Sequence, residues 1–317
     1  MSAAGFMPDD AVIAAIKRDI AAYEAERVAA RRSAMLRVPL YVGGLIAAVV
    51  ALALALNLVA DVNEQWLSTL HVYLYVLAFI VALFLYFLAL RPLEAASASF
   101  RDKLLPIIFG FIKDMRHERE VMQPSFAALP DATVGKFNVM EFDDSISGTY
   151  EDFRFELYET LLIQRNDKYD STTFQGVIVA FGLESPFPGM LIATVRTNAV
   201  LSFFGEIFGS ALVEVRSGVQ ELDAAYDFRT NNAEAAQPIV RGQMAQALTW
   251  LKEAWPGEPA RIAFKGRDGF LLLPDKRNFF ELPAPNVPLD YKAHVEPMIA
   301  DMATILAITA LVRKIGT

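Results

Sequence analysis

Residues 38–90 read VPLYVGGLIAAVVALALALNLVADVNEQWLSTLHVYLYVLAFIVALFLYFLAL, and this stretch decides the architecture. Val38–Ala60 contains no charged residue and a single amide, Asn57. Leu70–Leu90 is equally uncharged, with His71 at its mouth. At ~1.5 Å rise per residue, about 20 residues match the ~30 Å hydrocarbon layer of a bilayer. Two such runs, nearly adjacent, predict a transmembrane hairpin rather than two buried core helices. The predicted spans are residues 38–60 and 70–90, joined by a short external loop at 61–69. Trp66, Tyr73 and Tyr75 suit the membrane–water boundary, where amphipathic rings collect.

The flanks set the orientation. Arg27, Arg31, Arg32 and Arg37 precede the first span, and Arg91, Arg101 and Lys103 follow the second. The loop between carries Asp61 and Glu64 and no basic residue. Positive flanks stay on the cytoplasmic side, so both termini are expected there, in a cell inner membrane. Neither span holds Asp, Glu, Lys or Arg, the groups on which ion pathways and proton relays depend. The hairpin therefore reads as an anchor. The small residues Gly43, Gly44, Ala47, Ala48 and Ala55 allow close helix approach, either to the second span or to another copy.

Working outward, residues 1–37 read as an amphipathic cytoplasmic helix. Asp9 and Asp10 suit its first turn, and Ile13, Ile16, Ile20 and Tyr23 recur at helical spacing. Residues 91–123 read as a membrane-proximal helix, with Pro106 bending it. From residue 124 to 317 the pattern changes to short alternating runs, as in Phe153, Phe155 and Leu157. Residues 173–182 and 191–196 are separate strand candidates. Residues 233–255 read as helix. The turn Gly266-Arg267-Asp268-Gly269 predicts a compact hairpin. A last apolar helix, about 289–315, is read as core and not as a third span. Strands joined by turns, with helices inserted late, give an α+β domain with a mainly antiparallel sheet and a C-terminal helix.

The chain has no cysteine, which removes thiolate metal sites, disulfides and Cys nucleophiles. Its net charge of −8 argues against a nucleic-acid partner, which needs a basic face. No phosphate-binding glycine loop, zinc-protease motif or nucleophile elbow is present, and the three histidines, His71, His117 and His294, have no ligand spacing. No cofactor, metal or catalytic residue is therefore assigned. The acidic group Glu141, Asp143, Asp144, Glu151 and Asp152 lacks the spacing of a calcium loop and is expected at solvated turns and strand ends.

Two stretches are candidate contact sites. Phe203, Phe204 and Phe208 lie in an apolar segment bracketed by Gly205 and Gly209. It either folds over the core or forms a docking loop. The basic set Arg261, Lys265 and Arg267, with Lys276 and Arg277 beyond, is either an ordinary solvated face or the face for an anionic partner.

Several phrases carry a resemblance: Ser147-Gly148-Thr149-Tyr150-Glu151-Asp152-Phe153, Thr173-Phe174-Gln175-Gly176-Val177, Glu221 through Asn232, the helix through Trp250, and Asn278-Phe279-Phe280-Glu281. In this order behind a helical hairpin, they resemble a bacterial two-pass membrane family catalogued as domain of unknown function family 3137. The resemblance implies a cytoplasm-facing protein and no assigned reaction. Some members accompany LemA-like membrane proteins, which implies a partner of that kind. The expected role is thus a membrane-anchored module binding a protein at the inner membrane surface, for regulation or assembly. The alternatives are a membrane-proximal enzyme with a carboxylate-based site and an accessory subunit of a transporter or envelope complex.

Overall fold

The computed structural model describes residues 3–59, 69–166, 170–196, 212–281, 283 and 287–316. They divide into two compact units. One contains Ile13–Ile107 with Pro283–Leu289; the other contains Met1–Val12, Ile108–Leu282 and Asp290–Thr317.

The first unit is built on two long helices, α1 (Asp10–Val59) and α2 (Thr69–Ile108). Asp9 starts α1 by accepting the Val12 N–H at 2.8 Å, which satisfies one of the orphan donors at a helix start. The helix runs without a break through Pro39, so the amphipathic segment and the apolar run are one element. Phe79, Phe84 and Phe87 on α2 are exposed, as are Leu52 and Leu54 on α1. His71 is fully buried, its Nε2 3.2 Å from the Ala53 carbonyl oxygen. The Pro283–Leu289 segment returns to α1: the Leu289 N–H donates to Glu24 Oε2 at 3.2 Å, and Arg27 donates to the Val287 carbonyl.

The second unit holds a seven-stranded sheet: β1 (Lys113–Arg119), β2 (Val139–Tyr150), β3 (Phe153–Arg165), β4 (Asp170–Val195), β5 (Val213–Val215), β6 (Tyr226–Thr230) and β7 (Arg261–Pro274). Neighbours run β1-β2-β3-β4-β6-β5, with β7 on the other side of β4, and every pairing is antiparallel. The long β4 organises the sheet. Its first half takes β3 on one edge, its second half takes β6 there, and β7 follows it along both halves.

Both faces of the centre are covered. Tyr158, Ile178 and Leu272 lie across from one another on one face, with Phe174, Phe270 and the helical turn Asp131–Val134. Leu157, Val179 and Leu271 point to the other. Each large apolar side chain so buried contributes ~1.5–3 kcal/mol. The helix α3 (Gln220–Ala225) lies between β5 and β6, and α4 (Ala233–Ile239) and α5 (Ala245–Ala254), joined by a π-helical turn at Val240–Met244, follow β6. Asn232 caps α4 by accepting the Ala235 N–H at 3.2 Å. The terminal helix α6 (Glu296–Val312) is a core element, 67% of its most apolar window being buried. At its end Arg313 lies 5.1 Å over the Phe153 ring and pairs with Asp152 and Glu184.

The structure corrects three expectations. The helix of residues 91–123 stops at Ile108, and Lys113–Arg119 is an edge strand whose alternation places Met115 and His117 inward. Charge on an edge strand discourages edge-to-edge pairing; in the sequence the same charges look like one face of a helix. The separate strands at 173–182 and 191–196 are one bent strand. The hairpin at Gly266–Gly269 is absent, because β7 passes through that point, Gly266 taking φ +61° while β4 bends opposite it.

Candidate functional site

A bulge in β2 builds the most charged corner of the domain. Phe142 pairs with Thr160 and Ser145 with Tyr158, so Asp143 and Asp144 together oppose Glu159. Two residues facing one is the signature of a β-bulge, which re-aims side chains. One carboxylate oxygen from each of the three acids lies within 4.8 Å of the others. Asp144 is fully buried rather than solvated. Its Oδ1 lies 2.8 Å from His117 Nε2 and 3.4 Å from Arg119 Nε. Asp143 Oδ2 accepts from Asn278 Nδ2 at 2.6 Å. Glu159 Oε1 accepts the Phe279 N–H. Oxygen ligands of this kind suit hard cations, but each acid already takes a donor from the protein. The cluster acts as a clasp joining β1, β2, β3 and the chain that follows β7.

That chain, Asp275–Asn278, is a ridge between two concavities. The first, of about 550 Å³, is lined by Glu120, Glu141, Asp143 and Glu159 on one side and by the ridge on the other. The second, of about 850 Å³, lies between the ridge, the Phe174 strand end and the Trp255–Glu258 turn, with Arg261 on its wall. The ridge is internally braced. The Arg277 guanidinium grips Asp275 at 2.8–3.3 Å, which raises the Arg277 pKa, and the Arg277 N–H donates to Asp275 Oδ1 at 2.8 Å.

Arg261 is drawn into the fold. Its guanidinium donates to the carbonyls of Thr133 at 2.8 Å and Thr173 at 3.4 Å, and sits 5.5 Å over the Phe174 ring. Burial lowers its pKa, against an opposing pull from Glu258. Among the described residues no carboxylate comes within ion-pair distance of it. In the sequence Arg261 belongs to a basic set with Lys265, Arg267, Lys276 and Arg277. Lys265 and Arg267 are exposed farther along β7, and Arg267 lies six residues on, about 20 Å along a strand. Of that set, the fold brings Arg261, Lys276 and Arg277 together on one cavity wall. The docking-loop residues Phe203, Phe204 and Phe208 lie outside the described residues.

The Asn278 clasp has no motif in the sequence. Its one signal was the phrase Asn278-Phe279-Phe280-Glu281, now explained: Asn278 and the Phe279 N–H hold the acids, while Phe280 is fully buried 5.9 Å from Phe109.

No sequence profile of a known family matches the chain, and no curated protein matches it. Among solved structures, the mycobacterial trehalose monomycolate transport factor A, TtfA, aligns with a TM-score of 0.31 and 8% identity, over 61% of this chain and 88% of that one. A likeness at that level carries no argument about fold or function.

Proposed function

We propose that this chain is a membrane-anchored binding module. In this reading α1 and α2 supply the two spans, the termini lie in the cytoplasm, and the α+β domain engages a protein partner at the inner membrane surface. One observation carries it. Among the described residues three helices are long and apolar enough to cross a membrane, and two of them have only 6% of their most apolar windows buried. Apolar side chains on that scale need a nonaqueous surrounding. The arginine-rich flanks and the acidic loop support the cytoplasmic placement, and the ridge between two concavities of opposite charge character supports partner contact there.

An enzyme reading would start from Asp143, Asp144 and Glu159. Their engagement by His117, Arg119, Asn278 and the Phe279 N–H favours binding over chemistry. The test is affinity capture of the tagged full chain from mild-detergent membrane extract, beside Lys276→Glu on the exposed ridge. A specific membrane protein retained by the parent and weakened by Lys276→Glu supports the reading. Capture of no specific protein contradicts it.

A further inference from the structure

We infer that the cavity walled by Trp255, Phe174 and Arg261 is a binding site for a single carboxylate carried on an apolar body. The cavity's volume, about 850 Å³, lies in the range of small-ligand pockets. Phe174, Trp255, Pro256 and Pro274 supply the apolar part of a mixed lining whose other side chains are mostly polar or charged.

The charges on the wall specify the anion. Arg261, Lys276 and Arg277 face Glu258 and Asp275. Arg277 and Asp275 satisfy one another through the fork described above, which leaves Arg261 and Lys276 against Glu258. The balance is one positive charge. It matches a monoanion, whereas a phosphate dianion would bring surplus negative charge toward Glu258.

Arg261 is the anchor. A largely buried guanidinium that meets two carbonyl dipoles and no carboxylate is a costly arrangement, since buried charges are ordinarily paired. An entering carboxylate supplies the missing counter-charge through the bidentate geometry that suits arginine. The carbonyls of Thr133 and Thr173 and the Phe174 ring hold the planar group in place beforehand, so little order is lost on binding.

Two sources present this chemistry: a free organic acid, or the C-terminal carboxylate of a polypeptide. The inference goes beyond the proposed function and does not depend on it, because the cavity lies wholly within the sheet unit.

The experiment uses the full chain in detergent micelles. Binding of 3-phenylpropionate is followed by Trp fluorescence, with Trp255→Phe as the signal control, and by calorimetry. 3-Phenylpropionamide is the neutral control. A short peptide ending in Phe is compared with its C-terminally amidated form. Saturable binding of a carboxylate probe is expected, at least about tenfold tighter than its amide, the worth of ~1.4 kcal/mol. Arg261→Gln should abolish it. Because Arg261→Gln also removes carbonyl contacts and can unfold the chain, the exposed Glu258→Gln provides a second arm. Removing that repulsion should tighten carboxylate binding about fivefold. Preference for the free-ended peptide identifies a chain terminus as the source; preference for phenylpropionate identifies a free acid. Equal affinity for carboxylate and amide, no saturable binding of either carboxylate probe, or no response to Glu258→Gln overturns the inference.

Discussion

Asn278 and Asp143, 135 residues apart in the chain, meet at 2.6 Å, the amide Nδ2 donating to the carboxylate Oδ2. The contact ties the ridge after β7 to the bulge in β2. It therefore fixes the wall that both concavities share. The clasp should therefore respond to single substitutions.

Asn278→Ala leaves a carboxylate short of a donor and should cost ~1–3 kcal/mol of stability. Asp144→Asn is expected to cost a similar ~1–3 kcal/mol, because it alters a fully buried acceptor that His117 and the half-exposed Arg119 share. Chemical denaturation of the detergent-solubilised chain measures both. Equal, negligible losses would remove the clasp from the account.

Gly176 adopts φ +147°, and a Cβ there would sit 2.2 Å from the Leu273 carbonyl oxygen and 2.7 Å from the Asp275 N. Gly176→Ala thus combines a strained backbone with a clash against β7 just before the ridge. A loss of ~2–4 kcal/mol is expected, read as a lowered unfolding midpoint. A midpoint like the parent's would mean that β4 and β7 are farther apart than described.

Asp301 on α6 has a raised pKa, chiefly from burial, opposed by Arg277 and reinforced by Asp275. A carboxyl that holds its proton more tightly folded than unfolded favours the fold below its ordinary value, ~4. That contribution is lost as pH rises through the raised value. Asp301→Asn should therefore melt higher than the parent near neutral pH, and the gap should close below about pH 4. Melting curves that stay parallel across pH would contradict this.

Ile80 lies near the middle of the apolar part of α2 and is 57% exposed. Ile80→Arg should cost ~3–4 kcal/mol in membrane insertion. A glycosylation-reporter insertion assay should show the second segment failing to span in a large fraction of chains. Unchanged insertion would argue that α2 is not lipid-facing there.

Much of this was legible in sequence because it rests on local pattern. The apolar runs in 38–90 announce long helices by length alone. Phe153, Phe155 and Leu157 announce β3 by alternation, and the helical stretch read at 233–255 is present as two helices and the turn between them. What failed depended on distant partners. The strand candidates 173–182 and 191–196 are one strand, and Pro186 and Pro188 lie between them. The prolines fall where the β4–β7 register shifts, between Gly182 and Met190, so no regular ladder donor is required of them. Gly266–Gly269 looks like a turn until β4 is seen bending alongside it. Asp143 and Asp144 look solvated because nothing in the sequence counts the extra residue that turns both toward Glu159. Arg261 shares strand parity with Lys265 and Arg267, and only the fold shows that its end of β7 is enclosed.

The chain has no native cysteine, so single cysteines can be placed without background, and this gives the most direct test of the anchored module. Glu64→Cys, in the stretch of sequence between the two apolar runs, and Lys265→Cys, exposed on β7, would each be treated with a membrane-impermeant maleimide in intact spheroplasts and after lysis. The account predicts labelling of Glu64→Cys in intact cells, and of Lys265→Cys only after lysis, with both proteins in the membrane fraction. Labelling of Lys265→Cys in intact cells, or recovery of the chain in the soluble fraction, would contradict it.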